Sequence, residues 1–369
     1  LKLRAYEDRY GNGLEAYSDG TYATQLNTTS FPSVYEDKTR GVSVALSTQA
    51  IANHDLQLAL HHKDDRHRDT NPKSPTKDYR DVTTSLALED SITLGDRYGL
   101  RLGASHEQRD AREVYFWPVG KTSANNALVE LQRDVSEHGQ LYASISRRTR
   151  FPTIKDRYSA RMGRALPNPD LKPETARHLA LGWRGQPWDG AQAEAALFHA
   201  RIDDLIEDAL VAPDQCGGSW CDQARNIGSA HSRGVELSLQ QALGERGQLG
   251  VAWPLLDRDN LADRSQQLTN SPRQRLFAHG QWALSSRWLA TASVEAEQGR
   301  IVAYRGPGSQ GGFLRLGGYA VFGAKLVWSP RDGLDIEAGG RNLGDKWYEL
   351  AKGYPMPGRT WFLNVSYGF

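Results

Sequence analysis

The sequence predicts an all-β protein, a transmembrane antiparallel β-barrel meander of about sixteen strands. Three observations point there. Apolar residues recur with a period of two rather than 3.6. The connections between the alternating segments come in two sizes that take turns along the chain. Tryptophans gather near the ends of those segments, where an indole with an apolar body and a polar N–H suits a membrane–water interface.

The first segment, 1–10, sets Leu1, Leu3 and Ala5 against Lys2 and Arg4. The next sets Val42, Val44 and Leu46 against Ser43, Ala45 and Ser47, followed by Leu56, Leu58 and Leu60. Tyr98, Leu100, Leu102 and Ala104 alternate with Gly99, Arg101 and Gly103. Leu179, Leu181 and Trp183 alternate with Ala180, Gly182 and Arg184, and Val235, Leu237 and Leu239 with Glu236 and Ser238. The last segment, 359–369, places Trp361, Leu363, Val365, Tyr367 and Phe369 on one side. This pattern predicts that Leu58, Leu100, Leu181, Leu237, Leu363 and Val365 share the apolar, lipid-facing side of their strands.

Short turns are expected near Ile51–His54, Leu94–Arg97, Ser136–Gly139, Gln186–Gly190, Gly244–Gly247, Ser285–Arg287 and Pro330–Gly333. Long polar connections are expected at 11–33, 66–78, 110–124, 151–173, 210–223, 258–270, 303–314 and 347–357. Trp183, Trp188, Trp282, Trp288 and Trp328 fall near short turns, and Trp347 and Trp361 flank a long connection.

Composition agrees. The chain has 369 residues, 39% hydrophobic, and its net charge is +1. Its mean hydropathy is −0.61, and no apolar run reaches the roughly 18 residues of a membrane helix. A low value is what a barrel gives, because only alternate residues face lipid. Ten Trp, fifteen Tyr and nine Phe are too many for a solvated coil. The near-zero charge gives no reason to expect nucleic acid.

Four segments carry a resemblance. Phe151-Pro152-Thr153 precedes the string Asn168-Pro169-Asp170-Leu171-Lys172-Pro173-Glu174, whose prolines stiffen the return from a long loop into a strand. Asn226-Ile227-Gly228 precedes Arg233-Gly234-Val235-Glu236-Leu237. Near the end come Arg341-Asn342-Leu343-Gly344-Asp345-Lys346-Trp347-Tyr348 and then Pro357-Gly358-Arg359, leading to a terminal Phe369. In this order they resemble the C-terminal part of a TonB-dependent outer-membrane receptor, over most of 151–369. The terminal aromatic resembles the signal read by the barrel-assembly machinery. The segment before 151 matches in pattern only.

The resemblance implies a Gram-negative outer-membrane receptor that imports a metal chelate, with energy delivered by TonB through a globular plug. Nothing at the start of the sequence resembles a plug. The chain therefore reads as one β-barrel domain over 1–369, a fragment without the plug and the first six or so strands of a 22-stranded barrel. A ferric siderophore is the expected ligand and a cobalamin-like chelate is possible within the same class. Haem is disfavoured because 151–173 holds no His. Two other classes compete: a passive 16-stranded porin, against which the Asn168–Glu174 string speaks, and a soluble β-rich binding protein, against which the two loop sizes speak.

Cys216 and Cys221 lie in one long connection, and an oxidising cell surface favours a disulfide over a metal pair with no neighbouring ligand. The stretch 147–164 holds Arg147, Arg148, Arg150, Lys155, Arg157, Arg161 and Arg164 against Asp156. It suits lipopolysaccharide phosphates or an acidic loop first, and an anionic ligand next. Tyr115-Phe116-Trp117 suits ligand stacking or a hydrophobic loop cluster. Tyr115, Trp117, Arg161 and Arg164 are thus the candidate ligand-binding residues. His61 and His62 point to opposite faces of a strand, which argues against a metal site. No nucleophile elbow, phosphate loop or catalytic order is present, so neither enzyme activity nor a cofactor is expected.

Overall fold

The computed structural model describes residues 1–160, 164–217, 220–305 and 311–368. Strands take up 69% of the chain and helix 2%, so the fold is nearly all β. In chain order the elements are β1 (Lys2–Leu14), β2 (Ser33–Thr48), β3 (His54–Asn71), β4 (Ser74–Leu94), β5 (Tyr98–Val114), β6 (Gly120–Ser136) and β7 (Gly139–Arg150). After them come α1 (Ile154–Tyr158), β8 (Ala165–Leu166), β9 (Glu174–Gly185), β10 (Ala191–Asp203), β11 (Ile206–Val211) and β12 (Cys221–Asn226). The remainder is β13 (Ala230–Leu243), β14 (Gly247–Ala252), β15 (Leu255–Asn260), β16 (Gln274–Ser285), β17 (Trp288–Gln298), β18 (Ile301–Arg305), β19 (Gly311–Arg315), β20 (Tyr319–Arg331), β21 (Leu334–Arg341), β22 (Glu349–Ala351), β23 (Tyr354–Pro355) and β24 (Thr360–Tyr367).

The chain divides into two compact units. The first is Leu1–Leu131, Ser144–His178 and Ile202–Ser229, and the second is Gln132–Ala143, Leu179–Arg201 and Ala230–Phe369. In the first, β1 to β5 form an antiparallel meander in which each strand pairs with the next. The register aligns Leu3 with Val44, Val44 with Leu60 and Leu60 with Leu86 in one cross-strand row, and Leu46, Leu58 and Leu88 in the next. Leu46, Leu58, Leu60, Leu86, Leu88 and Leu102 are all exposed on this apolar face, and Leu100 lies on it two residues from Leu102. The opposite face is polar. There His61 Nε2 lies 3.2 Å from the Tyr6 hydroxyl, whereas His62 turns to Thr84 on the apolar side.

In the second unit the same rule holds. Trp282, Ala290, Leu326, Ala338 and Leu363 form one cross-strand row over β16, β17, β20, β21 and β24. Trp288, Trp328, Ile336 and Val365 form another, with the Trp288 and Trp328 rings stacked 5.6 Å apart. The indole of Trp282 lies over Gly247, where a Cβ would collide with it. Leu181, Leu237, Leu363 and Val365 are exposed on their strands.

Every expected short turn occurs. Two details differ from the sequence reading. The connection 66–78 is not a loop: β3 and β4 continue as a polar hairpin up to Asn71 and Ser74. Charge pairs across the strands replace apolar contacts there, with Arg68–Asp78 at 2.7 Å and Arg80–Asp64 at 2.6 Å. Parts of 210–223 and 303–314 are likewise strands, in the hairpins β11–β12 and β18–β19. The long meander makes the expected sixteen passes, written as seventeen strands among the described residues because one pass is interrupted. Trp253-Pro254 divides one strand into β14 and β15, because Pro254 has no N–H to give the ladder.

Candidate functional site

The candidate site belongs to the first unit, where the connection from β7 to β9 crosses the ends of β4 and β5. It begins with α1. Thr153 Oγ1 accepts the Asp156 N–H at 3.1 Å, and the Asp156 carboxylate accepts the Thr153 N–H at 2.9 Å. This reciprocal cap satisfies two free N–H groups. A five-residue helix still needs tertiary support. It comes from Arg157, whose side chain is 4% exposed and whose guanidinium lies 2.5 Å from Asp81 on β4. Arg109 on β5 faces the same carboxylate at 3.6 Å and donates to the Pro152 carbonyl. Beside this triad, Tyr158 stacks on Tyr79 at 5.2 Å, with Ala111 and Val114 buried around them. Burial pushes the Tyr158 phenol above its usual pKa range.

The rest of the connection is stitched to the β11–β12 hairpin. Ala165 and Leu166 run parallel to Asp222 and Gln223, and the Asp222 N–H donates to the Arg164 carbonyl at 3.0 Å. The seven-residue string then supplies one fastening after another. Asn168 Nδ2 donates to the Ala224 carbonyl at 2.8 Å, and its backbone N–H to the Arg157 carbonyl at 2.7 Å. Pro169 and Asp170 make the turn, and Leu171 is buried against Ile206 and Ala224. Asn226 accepts the Lys172 N–H at 2.9 Å and donates to the Lys172 and Asp204 carbonyls. Glu174, just after Pro173, accepts from the Ile206 N–H at 3.0 Å and from Arg150 at 2.6 Å. Cys216 and Cys221 are bonded to each other near the end of this hairpin, where Val211 faces Cys221.

The string therefore acts as a clasp that fixes the loop carrying Arg164. The second motif does the same in the other unit. Asn342 accepts the Lys346 N–H at 2.9 Å and donates to the Lys346 and Pro357 carbonyls. Its backbone sits at a φ of +49°, a region Asn tolerates better than most residues. Leu343 N–H donates to the Phe322 carbonyl, Asp345 accepts from the Arg359 N–H at 2.8 Å, and Tyr348 stacks on Tyr319 at 4.1 Å.

Of the candidate ligand residues, Trp117 is partly buried and packs with Ile154 against the Tyr79–Tyr158 cluster, joining the 115–119 connection to α1. Tyr115 and Phe116 stay exposed, and successive rings of the trio touch at 4.8 and 4.4 Å. Arg164 is exposed at the start of the β8 bridge. Arg161 and Phe369 lie outside the described residues. The basic stretch is divided in its uses: Arg157 is buried and Arg150 is paired with Glu174 and Asp156, while Arg148, Lys155 and Arg164 are exposed. Sequence reasoning missed Asp81 and Arg109. The Thr153-x-x-Asp156 spacing was a usable signal for α1. Among the described residues no group of three or more His, Cys, Asp or Glu is arranged to hold a metal ion.

The meander, its apolar face and the clasped loop define a class, and comparison with known proteins gives the same class. Residues 1–343 match the family "TonB dependent receptor-like, beta-barrel". The chain belongs to that family, whose members are outer-membrane receptors and transporters rather than enzymes. It is 25% identical over 219 residues to the iron-regulated outer membrane virulence protein of Vibrio cholerae serotype O1, covering 56% of this chain and 33% of that protein. It is 24% identical over 233 residues to the vitamin B12 transporter BtuB of the same organism, covering 62% and 34%. Among solved structures, the copper transporter OprC superposes with a TM-score of 0.81 at 18% identity, over 100% of this chain and 62% of OprC. The ferric enterobactin receptor PfeA of Pseudomonas aeruginosa gives 0.70 at 19% identity, over 100% and 59%. The chain spans about a third of the length of these curated relatives.

Proposed function

We propose that this chain is the wall and outer-loop portion of an outer-membrane receptor for TonB-energised uptake of a metal chelate, most specifically a ferric siderophore. The observation that carries the reading is the clasp. Two asparagines, a buried leucine and a glutamate hold the segment that carries exposed Arg164, and a guanidinium on a fastened segment suits the anionic, partly planar surface of many ferric chelates. Exposed Tyr115 and Phe116 rise from the connection that packs on the same loop through Trp117. In this reading a plug preceding Leu1 makes the TonB contact, and the barrel-assembly machinery reads the terminal aromatic. Lipopolysaccharide and outer-membrane lipid surround the wall. The likeness to a vitamin B12 transporter favours a cobalamin-like chelate as the second reading.

The test is a binding titration on the full-length receptor. Arg161→Glu with Arg164→Glu is expected to weaken binding of an anionic ferric catecholate about ten- to a hundredfold, the loss of charge-assisted contacts worth roughly 1.5–3 kcal/mol. Unchanged affinity, with altered sensitivity to agents that strip lipopolysaccharide, would make these arginines lipid contacts and contradict the ligand assignment.

A further inference from the structure

A second cationic feature lies in the second unit. Val235, Leu255, Gln274 and Gln298 sit side by side across β13, β15, β16 and β17. They are on the face that also carries Leu237 and Trp282, since Val235 and Gln274 lie an even number of residues from them and Leu255 and Gln298 pair with these two across the sheet. One step further toward the long connections, Arg233 faces Asp257. Arg233 pairs with Asp257 at 2.8 Å and with Asp259 at 3.7 Å, and Arg273 reaches Asp257 at 3.0 Å. Arg315 lines the same groove of about 640 Å³ and has no ion-pair partner among the described residues. Arg233 and Arg273 are thus paired with two carboxylates while Arg315 adds a further positive charge to the groove. Arg233 and Arg273 keep more than half of their side-chain surface open to solvent.

A second groove, of about 600 Å³, shares Gln274 and Gln298 with the first and continues past Trp253, Leu276, Ala296 and Ala320. Leu276, Ala296 and Ala320 give it an apolar strip, and Glu297, Tyr319 and Lys346 line it as well. The two grooves adjoin at Gln274 and Gln298, with the arginines on one side and the apolar strip on the other.

We infer that this joined groove is a docking site for a phosphorylated acyl lipid, its phosphate on Arg233, Arg273 and Arg315 and one hydrocarbon chain along Trp253, Leu276, Ala296 and Ala320. Charge complementarity selects the occupant. A free phosphate would use only the arginine end, and a neutral lipid only the apolar end. An anionic amphiphile uses both, and guanidinium forks match phosphate oxygens bidentately. The inference rests on the outer-membrane reading, which makes this face the one that meets lipid.

Native mass spectrometry of the full-length receptor in detergent tests it, with phosphatidic acid and phosphatidylcholine of identical chains offered together. The receptor is expected to retain phosphatidic acid about tenfold more tightly. Arg233→Gln with Arg273→Gln should abolish that preference, Arg233→Lys with Arg273→Lys should keep part of it, and Ala296→Trp should weaken retention of both lipids. Millimolar inorganic phosphate should not displace the bound lipid. Equal retention of the two lipids by the unmodified receptor, or an undiminished preference in the Gln variant, would overturn the inference. So would full displacement by phosphate, which would mark a plain anion site. Heat-modifiable gel migration of each variant reports folding, and Arg315→Gln replaces any variant that fails to fold. A receptor that is folded in the outer-membrane fraction without lipid preference sinks this inference alone. A receptor absent from that fraction sinks the reading beneath it.

Discussion

Asp81→Ala is expected to unseat the 151–173 loop at a cost of about 3–5 kcal/mol, because it leaves two buried guanidinium groups without their shared carboxylate. Arg157 and Asp81 are 4% and 6% exposed at the side chain, so solvent cannot take over the lost partner. The ion pair is not itself a large source of net stability, since burying it is costly. Removing one partner is what destabilises. The prediction is therefore specific in two ways. Amide hydrogen exchange at Asn168 and Asp222 should rise on the order of a hundredfold or more, while exchange in β3 and β4 near Leu58 and Leu88 should hardly change. The triple change Asp81→Leu, Arg109→Met and Arg157→Met should restore most of the protection, because no uncompensated charge remains. Protection that falls equally in the single and triple variants would contradict the charge argument and leave shape as the cause.

Leu171→Ala is expected to open the same loop from its other end. Leu171 is 7% exposed and fills the space between Ile206 and Ala224. Deleting three side-chain carbons from such a site costs roughly 2–5 kcal/mol, the spread depending on how far the site collapses. Limited proteolysis should then cut within 159–173 at protease concentrations that spare the unmodified receptor. Leu171→Met, which preserves volume, should behave close to the original. Equal protease resistance of the alanine and methionine variants would mean that the hydrogen bonds of Asn168 and Asn226 hold the loop alone.

Much of the wall was legible in the sequence, because a half-buried strand writes its burial into every second residue. Leu58, Leu181, Leu237, Leu363 and Val365 needed only that rule. The polar hairpin ending at Asn71 and Ser74 was not legible in the same way. Its strands are held by charge pairs such as Arg68–Asp78, and a polar strand looks like a loop to a hydropathy pattern. The seven-residue string was recognisable as a motif, yet its physical use was not. Asn168, Leu171 and Glu174 act on Ala224, Ile206 and Arg150, partners 24 to 56 residues away. Asp81 lies 76 residues from Arg157 and carried no local signal at all. Local patterns report local burial; a clasp between distant segments appears only when the strands are in register.

On the function proposed above, this wall would belong to an energised, saturable importer of a metal chelate. That function is tested most directly by measuring uptake of a radiolabelled ferric siderophore into cells that produce the full-length receptor, with and without a proton uncoupler. The expected result is saturable uptake that stops when the proton-motive force collapses. Uptake that rises in proportion to concentration and continues after uncoupling would instead describe a passive pore, and would contradict it.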